Sequence, residues 1–345
     1  MHIKQLTNRH LLHNPLHPLT LLSNRIQKHF KTIYPPYNIF TDLNPVVTIK
    51  QCFDDLNIPS DHVSRRDTDT FYLDDQYLLR THTSAHQTEL LRKGIDSFLV
   101  IGDVYRKDEI DSKHYPCFHQ VEGVKLLENY TKKDVSDHLK STLESLIRDI
   151  FGNSIQIRWV SAYFPFTYPS YEMEVYYNND WMEILGCGVI HDKILHNSNV
   201  DCIKSPGWAF GLGLERWAMS LYDIKDIRLF WSKDDRFIEQ FKDKGLSTKF
   251  REYSLSPPCT KDISLWLGDR FNENEFYNIV RETGGDIIEK VQLVDTFTNK
   301  KKQKTSKCFR ITYRHMERSL TNEETNSIQQ KIRESAVQKL NCELR

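Results

Sequence analysis

The sequence predicts an α+β protein: a large antiparallel sheet flanked by helices, followed by a smaller unit of the same mixed class. Three observations lead to this prediction. Two β-rich apolar runs, Phe98–Arg106 and Phe118–Leu127, flank a polar loop, which is typical of a long antiparallel hairpin. Alternating apolar runs return over residues 155–190, and strand and helix patterns begin again after Pro257 and Pro258. A chain of 345 residues can bury one large core and one small one.

The N-terminal region is basic and free of acidic residues. The first 41 residues contain five Lys and Arg but no Asp or Glu, a composition that favours import into an organelle. The alternative is a helix of the mature protein, and we prefer it for residues 16–33. Apolar residues recur at helical spacing from Leu19 to Phe30, and Pro18 can open the helix. Whether a targeting segment has been removed, or has been left out of this chain, stays an open question at this point.

The hairpin carries polar side chains where a core hairpin would carry apolar ones. Because side chains alternate along a strand, Phe118, Gln120 and Glu122 share one face, and Arg106 ends the partner strand. An aromatic ring, an amide, a carboxylate and a guanidinium on one face suit a small molecule with a flat part, an ammonium and a phosphate.

Two further segments precede and follow this hairpin. In residues 82–87 (HTSAHQ), Thr83 or Ser84 can cap a helix that stops near Gly94, and a helix start suits a carboxylate or a phosphate. The ordinary alternative is that these side chains only cap and solvate a turn. Residues 128–150 predict a helix that ends near Gly152.

The later strands contain an aromatic turn and two glycine-rich stretches. Pro165 fixes the backbone so that Phe164 and Phe166 fall on the same side, although two phenylalanines are more often core. The run 185–188 (LGCG) has little side-chain bulk, which suits close approach by a ligand. Residues 207–216 (GWAFGLGLER) predict a strand that runs into a helix over 214–222, and their pattern is not that of a Walker phosphate loop.

Composition excludes several classes of protein. Lys plus Arg and Asp plus Glu both total 47, so contact with nucleic acid must use local patches. The seven cysteines show no CxxC pair, so we expect neither structural zinc nor a disulfide framework, and we expect a reducing compartment. No apolar run approaches the length of a membrane span, so no membrane partner is expected.

The C-terminal region predicts a ferredoxin-like unit. Strands over 262–267, 286–297 and 307–315, with a helix over 273–283 and a capping box at Thr321 and Glu324, give the order β-α-β-β-α. The predicted division of the chain is therefore a main domain at 1–245, a linker at 246–260 and a small domain at 261–345.

A basic stretch lies inside the small domain. Residues 300–318 hold eight Lys and Arg and one acid, Glu317, with Phe309 and Tyr313 interleaved. Such a stretch is usually a solvated face. Here we interpret it as an RNA contact, formed by Lys300, Lys301, Lys302, Lys304, Lys307, Arg310 and Arg314.

Two motifs in order make a family resemblance specific. Arg106, the loop and FHQVEG (118–123) resemble motif 2 of class II aminoacyl-tRNA synthetases in the form found in phenylalanyl-tRNA synthetases, and GLGLER (211–216) resembles motif 3. With HTSAHQ, FPF and GWAF in the same order, nearly the whole chain from about Leu11 is similar to the single-chain mitochondrial members. The resemblance implies a class II catalytic domain, an anticodon-binding ferredoxin-like domain and phenylalanine–tRNA ligase activity.

The resemblance also implies roles for individual residues. It assigns Arg106 to the α-phosphate of ATP and Arg216 to the γ-phosphate, as the two catalytic residues, with Arg216 stacking on the other face of an adenine that lies on Phe118. Asp108 and His114 are placed near the phosphates and the adenine amine. The residues assigned to phenylalanine are His82, Ser84, Gln87, Gln120, Glu122, Phe164, Phe166, Gly186 and Ala209.

The implied partners are L-phenylalanine, ATP with Mg²⁺, and tRNA(Phe). The implied setting is a monomer in the mitochondrial matrix, with another organelle possible, and no protein-bound zinc. Two alternatives stay open at this point. One is an amino-acid-activating enzyme that has lost tRNA, and the other is an RNA-binding paralogue without catalysis.

Overall fold

The computed structural model describes the chain except for residues 1, 2, 4, 5, 8, 243, 244, 253–255 and 302. The strands are β1 (Asn38–Phe40), β2 (Val46–Thr48), β3 (Tyr77–Leu79), β4 (Ser97–Tyr105), β5 (Cys117–Leu126), β6 (Gln156–Phe164), β7 (Thr167–Tyr177), β8 (Asp180–Ile190), β9 (Gly207–Gly213), β10 (Cys259–Trp266), β11 (Ile288–Asn299), β12 (Lys304–Tyr313) and β13 (Glu343–Leu344). The α-helices are α1 (Pro18–Ile33), α2 (Ile49–Cys52), α3 (Gln87–Arg92), α4 (Lys132–Phe151), α5 (Asp192–Asn197), α6 (Leu214–Tyr222), α7 (Asp235–Glu239), α8 (Glu273–Gly284) and α9 (Asn322–Leu340).

A seven-stranded sheet in the order β1-β4-β5-β9-β8-β7-β6 forms the main domain. Only β1 pairs in parallel, with β4, and the remaining neighbours are antiparallel. The predicted hairpin is confirmed as β4 and β5, with Gly102 opposite Gln120 and Val100 opposite Glu122. On the other side of β5, Gly211 of β9 pairs with Glu122, so the motif strands lie side by side.

Three helices cover one face of this sheet. The apolar side of α1, from Leu19 to Phe30, is fully buried beside Leu143 of α4 and Trp217 of α6. Burying this much apolar surface is the main favourable contribution to folding. The predicted helix 16–33 is therefore confirmed, and the Nδ1 of His17 caps it by accepting from the backbone N–H of Leu19. The other face packs against the short helices α2, α3 and α5 in a second, smaller core that includes Phe98, Val100 and Val124.

Some sequence predictions are wrong in their local detail. Thr83 and Ser84 do not cap a helix, because they lie inside a 3-10 turn, Thr83–His86, that leads into α3 without a side-chain cap. Within 155–190 the alternation is clear only at 155–159, 171–177 and 181–185, and the strands extend beyond these runs: β6 continues to Phe164, β7 begins at Thr167 and β8 continues to Ile190. Strand β10 begins at Cys259, inside the predicted linker.

The small domain is a four-stranded sheet in the order β11-β12-β10-β13. Helices α8 and α9 pack on one face of it, over a core that includes Ile263, Phe276, Phe309 and Ile332. The capping box at Thr321 and Glu324 is confirmed as the start of α9. In the part of this domain that the structure describes, no helix packs on the opposite face of the sheet. We call this the open face.

The loop between β4 and β5 is held by the small domain. The guanidinium of Arg281, buried on α8, donates to the carbonyl oxygens of Asp108 at 2.8 Å and Glu109 at 2.7 Å. The backbone N–H of Val291 donates to the carbonyl of Ile110. This loop is therefore fixed from both domains. Among the described residues, no helix is long and apolar enough to cross a membrane.

Candidate active site

A cleft of about 560 Å³ is lined by residues of β5, β8 and β9. It lies on the face of the sheet opposite α1, next to the shorter helices α2, α3 and α5. It brings together side chains from the turn at 83–86, the hairpin, the aromatic turn and the glycine-rich strand. Eleven of the residues predicted from sequence line it, namely His82, Ser84, Gln87, Arg106, Asp108, Gln120, Glu122, Phe164, Phe166, Gly186 and Ala209. All nine residues assigned to phenylalanine are in this set.

The carboxylate of Glu122 is the most unusual group in the cleft. Its side chain is 2% exposed, and neither oxygen has a hydrogen-bond partner among the described residues. Burial raises the pKa of Glu122 to about 8, against the opposing effect of the hydroxyls of Ser84 and Thr83. A buried carboxylate is costly without a cation, so this position is suited to a ligand ammonium.

Neutral polar groups surround this carboxylate. The backbone N–H of Thr83 donates to Oε1 of Gln120 at 3.3 Å, which orients the amide. Within the described part of the chain, Nε2 of Gln87 and both ring nitrogens of His82 have no hydrogen-bond partner. Burial, with the nearby charge of Arg106, lowers the pKa of His82 to about 3, so its imidazole is neutral. These groups can bind the polar end of a small molecule.

The two phenylalanines of the aromatic turn form one wall. The rings of Phe164 and Phe166 are parallel, with centroids 5.7 Å apart and planes at 10°, so their predicted placement on one side is confirmed. A Cβ at Gly186 would lie 2.7 Å from Cζ of Phe164. Glycine is therefore required at 186 by the wall itself, whereas the sequence suggested approach by a ligand. Ala209 lines the cleft and is buried, and its assignment to the floor of the pocket stays a prediction.

Arg106 also lines the cleft. Its Nε donates to the carbonyl of Thr81 at 2.9 Å, and its Cζ lies 5.2 Å from the ring centroid of Phe118. The guanidinium of Arg106 therefore lies beside the ring of Phe118. The assignment of Phe118 and Arg216 to the two faces of an adenine stays a prediction.

Arg216 and Glu215, neighbours on α6, have different partners. Nη1 of Arg216 lies 3.1 Å from the carbonyl and 3.3 Å from Oε1 of Glu183, in a pair that is half exposed. Such an exposed pair contributes little stability, so phosphate oxygens can replace it. Glu215 instead binds the buried His119, through Nδ1 at 2.6 Å and the backbone N–H at 2.8 Å. The ordinary alternative for Arg216 is a structural salt bridge to Glu215 or to another neighbouring residue, and in this structure its ion-pair partner is Glu183 and not Glu215.

His114 does not line the cleft. Its Nδ1 lies 2.9 Å from Oδ1 of Asp111, and this contact raises the pKa of His114. It faces a small pocket beside Arg228 and Arg281. Its assignment to ATP stays a prediction.

Known proteins match both halves of the chain. Residues 4–241 match the family model of the tRNA synthetases class II core domain (F), and residues 254–345 match that of the ferredoxin-fold anticodon binding domain. The chloroplastic/mitochondrial phenylalanine–tRNA ligase of Arabidopsis thaliana is 53% identical over 338 residues, which cover 95% of this chain and 78% of that one. The mitochondrial phenylalanine–tRNA ligase of Mus musculus is 45% identical over 375 residues, covering 97% and 83%. The chain belongs to the phenylalanine–tRNA ligases.

One part of the cleft was not predicted from the sequence. Its outer lip is formed by the segment between β2 and β3, with Ile58, His62, Val63 and Ser64, and by Tyr163 at the end of β6. The sequence of residues 40–81 predicts only connecting strands and loops. No pattern of residue types separates a lip from a solvent-exposed loop.

The basic stretch of the anticodon-binding domain is mostly paired. Lys304 binds Glu343, Lys307 binds Glu273, Arg310 binds Asp262 and Arg314 binds Glu289. Lys302 lies outside the described residues. Lys300 and Lys301, exposed in the turn between β11 and β12, make no ion pair that the described part of the chain shows.

The aromatic residues of that stretch do not reach the surface. Phe309 and Tyr313 are fully buried in the small core, so their expected interleaving with the basic residues on the surface is wrong. The open face of the sheet instead carries Trp266 and Phe297, with ring centroids 6.1 Å apart. Cζ of Arg345 lies 4.5 Å from the ring centroid of Phe297 and 5.3 Å from that of Trp266.

Proposed function

We propose that this chain activates L-phenylalanine with ATP and transfers the phenylalanyl group to tRNA(Phe), through the cleft residues named above. The observation that carries the assignment is one cleft with three features. It holds the buried carboxylate of Glu122, which has no partner among the described residues, a wall of two parallel phenyl rings, and the guanidinium of Arg106. An amino acid with an apolar ring, together with a phosphate ester, satisfies all three.

Phenylalanine binds between Glu122 and the aromatic wall. Its ammonium pairs with Glu122, which supplies the buried carboxylate with its missing cation. Its ring lies against Phe164 and Phe166, where edge-to-face contact contributes roughly 0.5–1.5 kcal/mol beyond area burial. His82, Ser84 and Gln120 bind its polar end. Its carboxylate then points towards Arg106.

The reaction proceeds in two steps, formation of the adenylate and transfer of the acyl group. A carboxylate oxygen attacks the α-phosphorus, the bond to the bridging oxygen breaks, and pyrophosphate leaves. A terminal ribose hydroxyl of the tRNA then attacks the carbonyl carbon, AMP leaves with the bonding electron pair, and the hydroxyl proton passes to the departing phosphate. The protein's contribution is to position the reacting groups and to stabilise the charge that develops on the α-phosphate.

ATP enters as its magnesium complex. Arg106 is suited to the α-phosphate and Arg216 to the γ-phosphate, because a guanidinium binds two phosphate oxygens at once. Glu172 lies near Arg216 and near two other carboxylates, Glu183 and Glu174. Burial and these two carboxylates raise the pKa of Glu172. Because Mg²⁺ takes carboxylate oxygens as its protein ligands, this acidic group is suited to the metal that accompanies ATP.

The test is amino-acid-dependent exchange of pyrophosphate into ATP, run with phenylalanine and with tyrosine, followed by charging of total tRNA. Exchange with phenylalanine and charging of tRNA(Phe) are the expected results. Exchange without charging would indicate an activating enzyme that has lost tRNA, and RNA binding without exchange would indicate a paralogue without catalysis.

The side chain at 209 is expected to set the depth of the phenylalanine pocket. Replacing Ala209 by Gly removes a methyl group at the proposed floor of the pocket, so para-chlorophenylalanine should become a good substrate and tyrosine a better one. An apolar pocket rejects an added hydroxyl by only about 10²-fold, so some activation of tyrosine is expected even in the wild type. The measurement is the ratio of kcat/KM for para-chlorophenylalanine to that for phenylalanine. An unchanged ratio with a lower Tm would make Ala209 an ordinary core residue.

The open face and the β11–β12 turn of the small domain are suited to an RNA partner. Replacing both Lys300 and Lys301 by Glu should weaken tRNA binding. Among the described residues these two lysines make no ion pair, so no ion pair has to break before they contact phosphate. The slope of log K against log salt should become shallower by about 0.7–0.9 for each phosphate that the variant no longer neutralises. The matched control replaces Lys331 and Lys339, exposed on α9 behind the sheet, by Glu. Equal weakening by both double variants would place the RNA-binding surface elsewhere.

The division of the chain and its setting follow from the same assignment. The catalytic domain extends to about residue 245, a linker follows, and the anticodon-binding domain begins with β10 at Cys259. A single chain that holds both units is proposed to act as a monomer in the mitochondrial matrix, as the named relatives are mitochondrial or chloroplastic/mitochondrial. A stable dimer of the active enzyme in light scattering would contradict the monomer.

A further inference from the structure

The outer lip of the cleft has no role in binding phenylalanine or ATP as assigned above. It is formed by Ile58, His62, Val63 and Ser64 on one side and by Tyr163 on the other. Tyr163 is 80% exposed and Val63 is 50% exposed. Val63 and the ring of Tyr163 are thus the exposed apolar groups of this lip, whereas Ile58 is buried.

Folding of the sheet does not account for the position of Tyr163. Among the described residues its ring makes no ring contact and its hydroxyl makes no hydrogen bond. The ladder between β6 and β7 shifts register here, with Phe164 opposite Thr167 but Ala162 opposite Ser170. Register shifts next to active sites re-aim side chains. Tyr163 and Phe164 are consecutive in the chain. The ring of Phe164 forms part of the aromatic wall, and the ring of Tyr163 is exposed at the mouth of the cleft.

The charge of the lip is mixed. Residues 61–69 hold Arg65, which pairs with Asp54, and Arg66, but also three aspartates. The net charge of the lip therefore gives no reason to expect that it attracts a phosphate backbone. The group that distinguishes the lip is the exposed ring of Tyr163, and an unpaired base is a ligand group that stacks on such a ring.

Acyl transfer requires such a base at the mouth. The ribose hydroxyl that attacks the phenylalanyl carbonyl must reach the inside of the cleft, between Gln120 and Arg106. In the proposed binding mode phenylalanine and AMP occupy the cleft, so we expect the base on that ribose to lie towards the entrance. Tyr163 is the exposed ring at this entrance.

We propose that Tyr163 is a stacking platform for the unpaired terminal base of the tRNA acceptor strand, and so a positioning residue for acyl transfer. The inference rests on the proposed function. It assigns Tyr163 to the second step alone, because phenylalanine and ATP bind and react without it.

The test separates the two steps in four variants. Tyr163→Ala and Tyr163→Leu remove the ring, Tyr163→Phe keeps it, and Tyr168→Ala removes the other exposed ring of the same turn, 73% exposed and outside the cleft lining. Pyrophosphate exchange measures activation without tRNA. Single-turnover transfer from preformed phenylalanyl-adenylate to tRNA measures the second step.

Exchange should stay near wild type in all four variants. Transfer at subsaturating tRNA should fall roughly 5- to 150-fold in the Ala and Leu variants, which corresponds to a stacking contribution of about 1–3 kcal/mol. The Phe variant and Tyr168→Ala should transfer like wild type. Wild-type transfer by Tyr163→Ala, an equal loss in Tyr168→Ala, or a parallel loss of exchange would each overturn the proposal. Absence of exchange in the wild type would instead contradict the proposed function.

A modified tRNA distinguishes stacking on the base from a general structural role of Tyr163. The measurement is the rate of acyl transfer to this tRNA. If the terminal nucleotide keeps its ribose but lacks its base, the stack cannot form. Wild type and Tyr163→Ala should then transfer to it at the same rate, whereas they differ with intact tRNA. A persistent difference with the abasic tRNA would show that Tyr163 acts through the fold of the turn and not through the base.

Discussion

Replacing Arg106 by Lys should lower the rate of adenylate formation by about 10²–10³-fold while the protein stays folded. Lysine keeps the charge but loses the planar fork that binds two phosphate oxygens. It also lacks the hydrogen bond from Nε to the carbonyl of Thr81, which fixes the direction of the side chain. The variant should therefore bind ATP in a geometry in which charge on the α-phosphate is poorly stabilised.

Pre-steady-state formation of phenylalanyl-adenylate measures this rate directly. The matched control is Arg158→Lys, an arginine that pairs with Glu174 on β7 and does not line the cleft. The control should form adenylate like wild type, and thermal unfolding should show that both variants are folded. Adenylate formation by Arg106→Lys within a few-fold of wild type would remove Arg106 from the α-phosphate.

Much of the cleft was predictable because its residues lie on regular elements. Alternation along β5 places Gln120 and Glu122 on one face, and this follows from strand geometry alone. The strand and helix at 207–222 also lie where the sequence predicts them. Glycine spacing and apolar periodicity carry this information locally.

The remaining features depend on tertiary contacts that no local pattern encodes. Phe309 and Tyr313 alternate with basic residues in the sequence, yet both face the helices and are buried. The partner of Arg216 is Glu183, on a strand distant in sequence. Hydrogen bonds from Arg281 to the loop after Arg106 join two domains. Such contacts form between elements, and their partners are fixed only once the elements pack.

Phenylalanine should bind more tightly as the pH rises towards 8, and Glu122→Gln should abolish that dependence. Burial raises the pKa of Glu122 to about 8 in the free enzyme, so the carboxyl group is mostly protonated at pH 6. The substrate ammonium pairs with the ionised form, so binding releases a proton. The Kd for phenylalanine should therefore fall about tenfold per pH unit between pH 6 and 7, and level off near pH 8.

The Gln variant keeps the shape of the side chain and removes the charge. An ammonium left buried without its partner costs about 3–5 kcal/mol, so the Kd for phenylalanine at pH 8 should rise by about 10²–10³-fold or more. The free enzyme should be no less stable at pH 7, because an amide replaces a carboxyl group that is mostly protonated there. Calorimetric titration between pH 6 and 8 in two buffers of different ionisation enthalpy measures both the Kd and the proton released.

A control variant separates this effect from a general change in charge. Glu144→Gln alters a carboxylate on α4 that accepts a hydrogen bond from Trp159 and lies outside the cleft lining. It should bind phenylalanine with the Kd and the pH dependence of wild type. A wild-type Kd that does not change between pH 6 and 8, with no proton released, would mean that Glu122 is already ionised in the free cleft. A Gln variant that binds phenylalanine as tightly as wild type at pH 8 would mean that the ammonium lies elsewhere, and the orientation of phenylalanine in the cleft would have to be reversed.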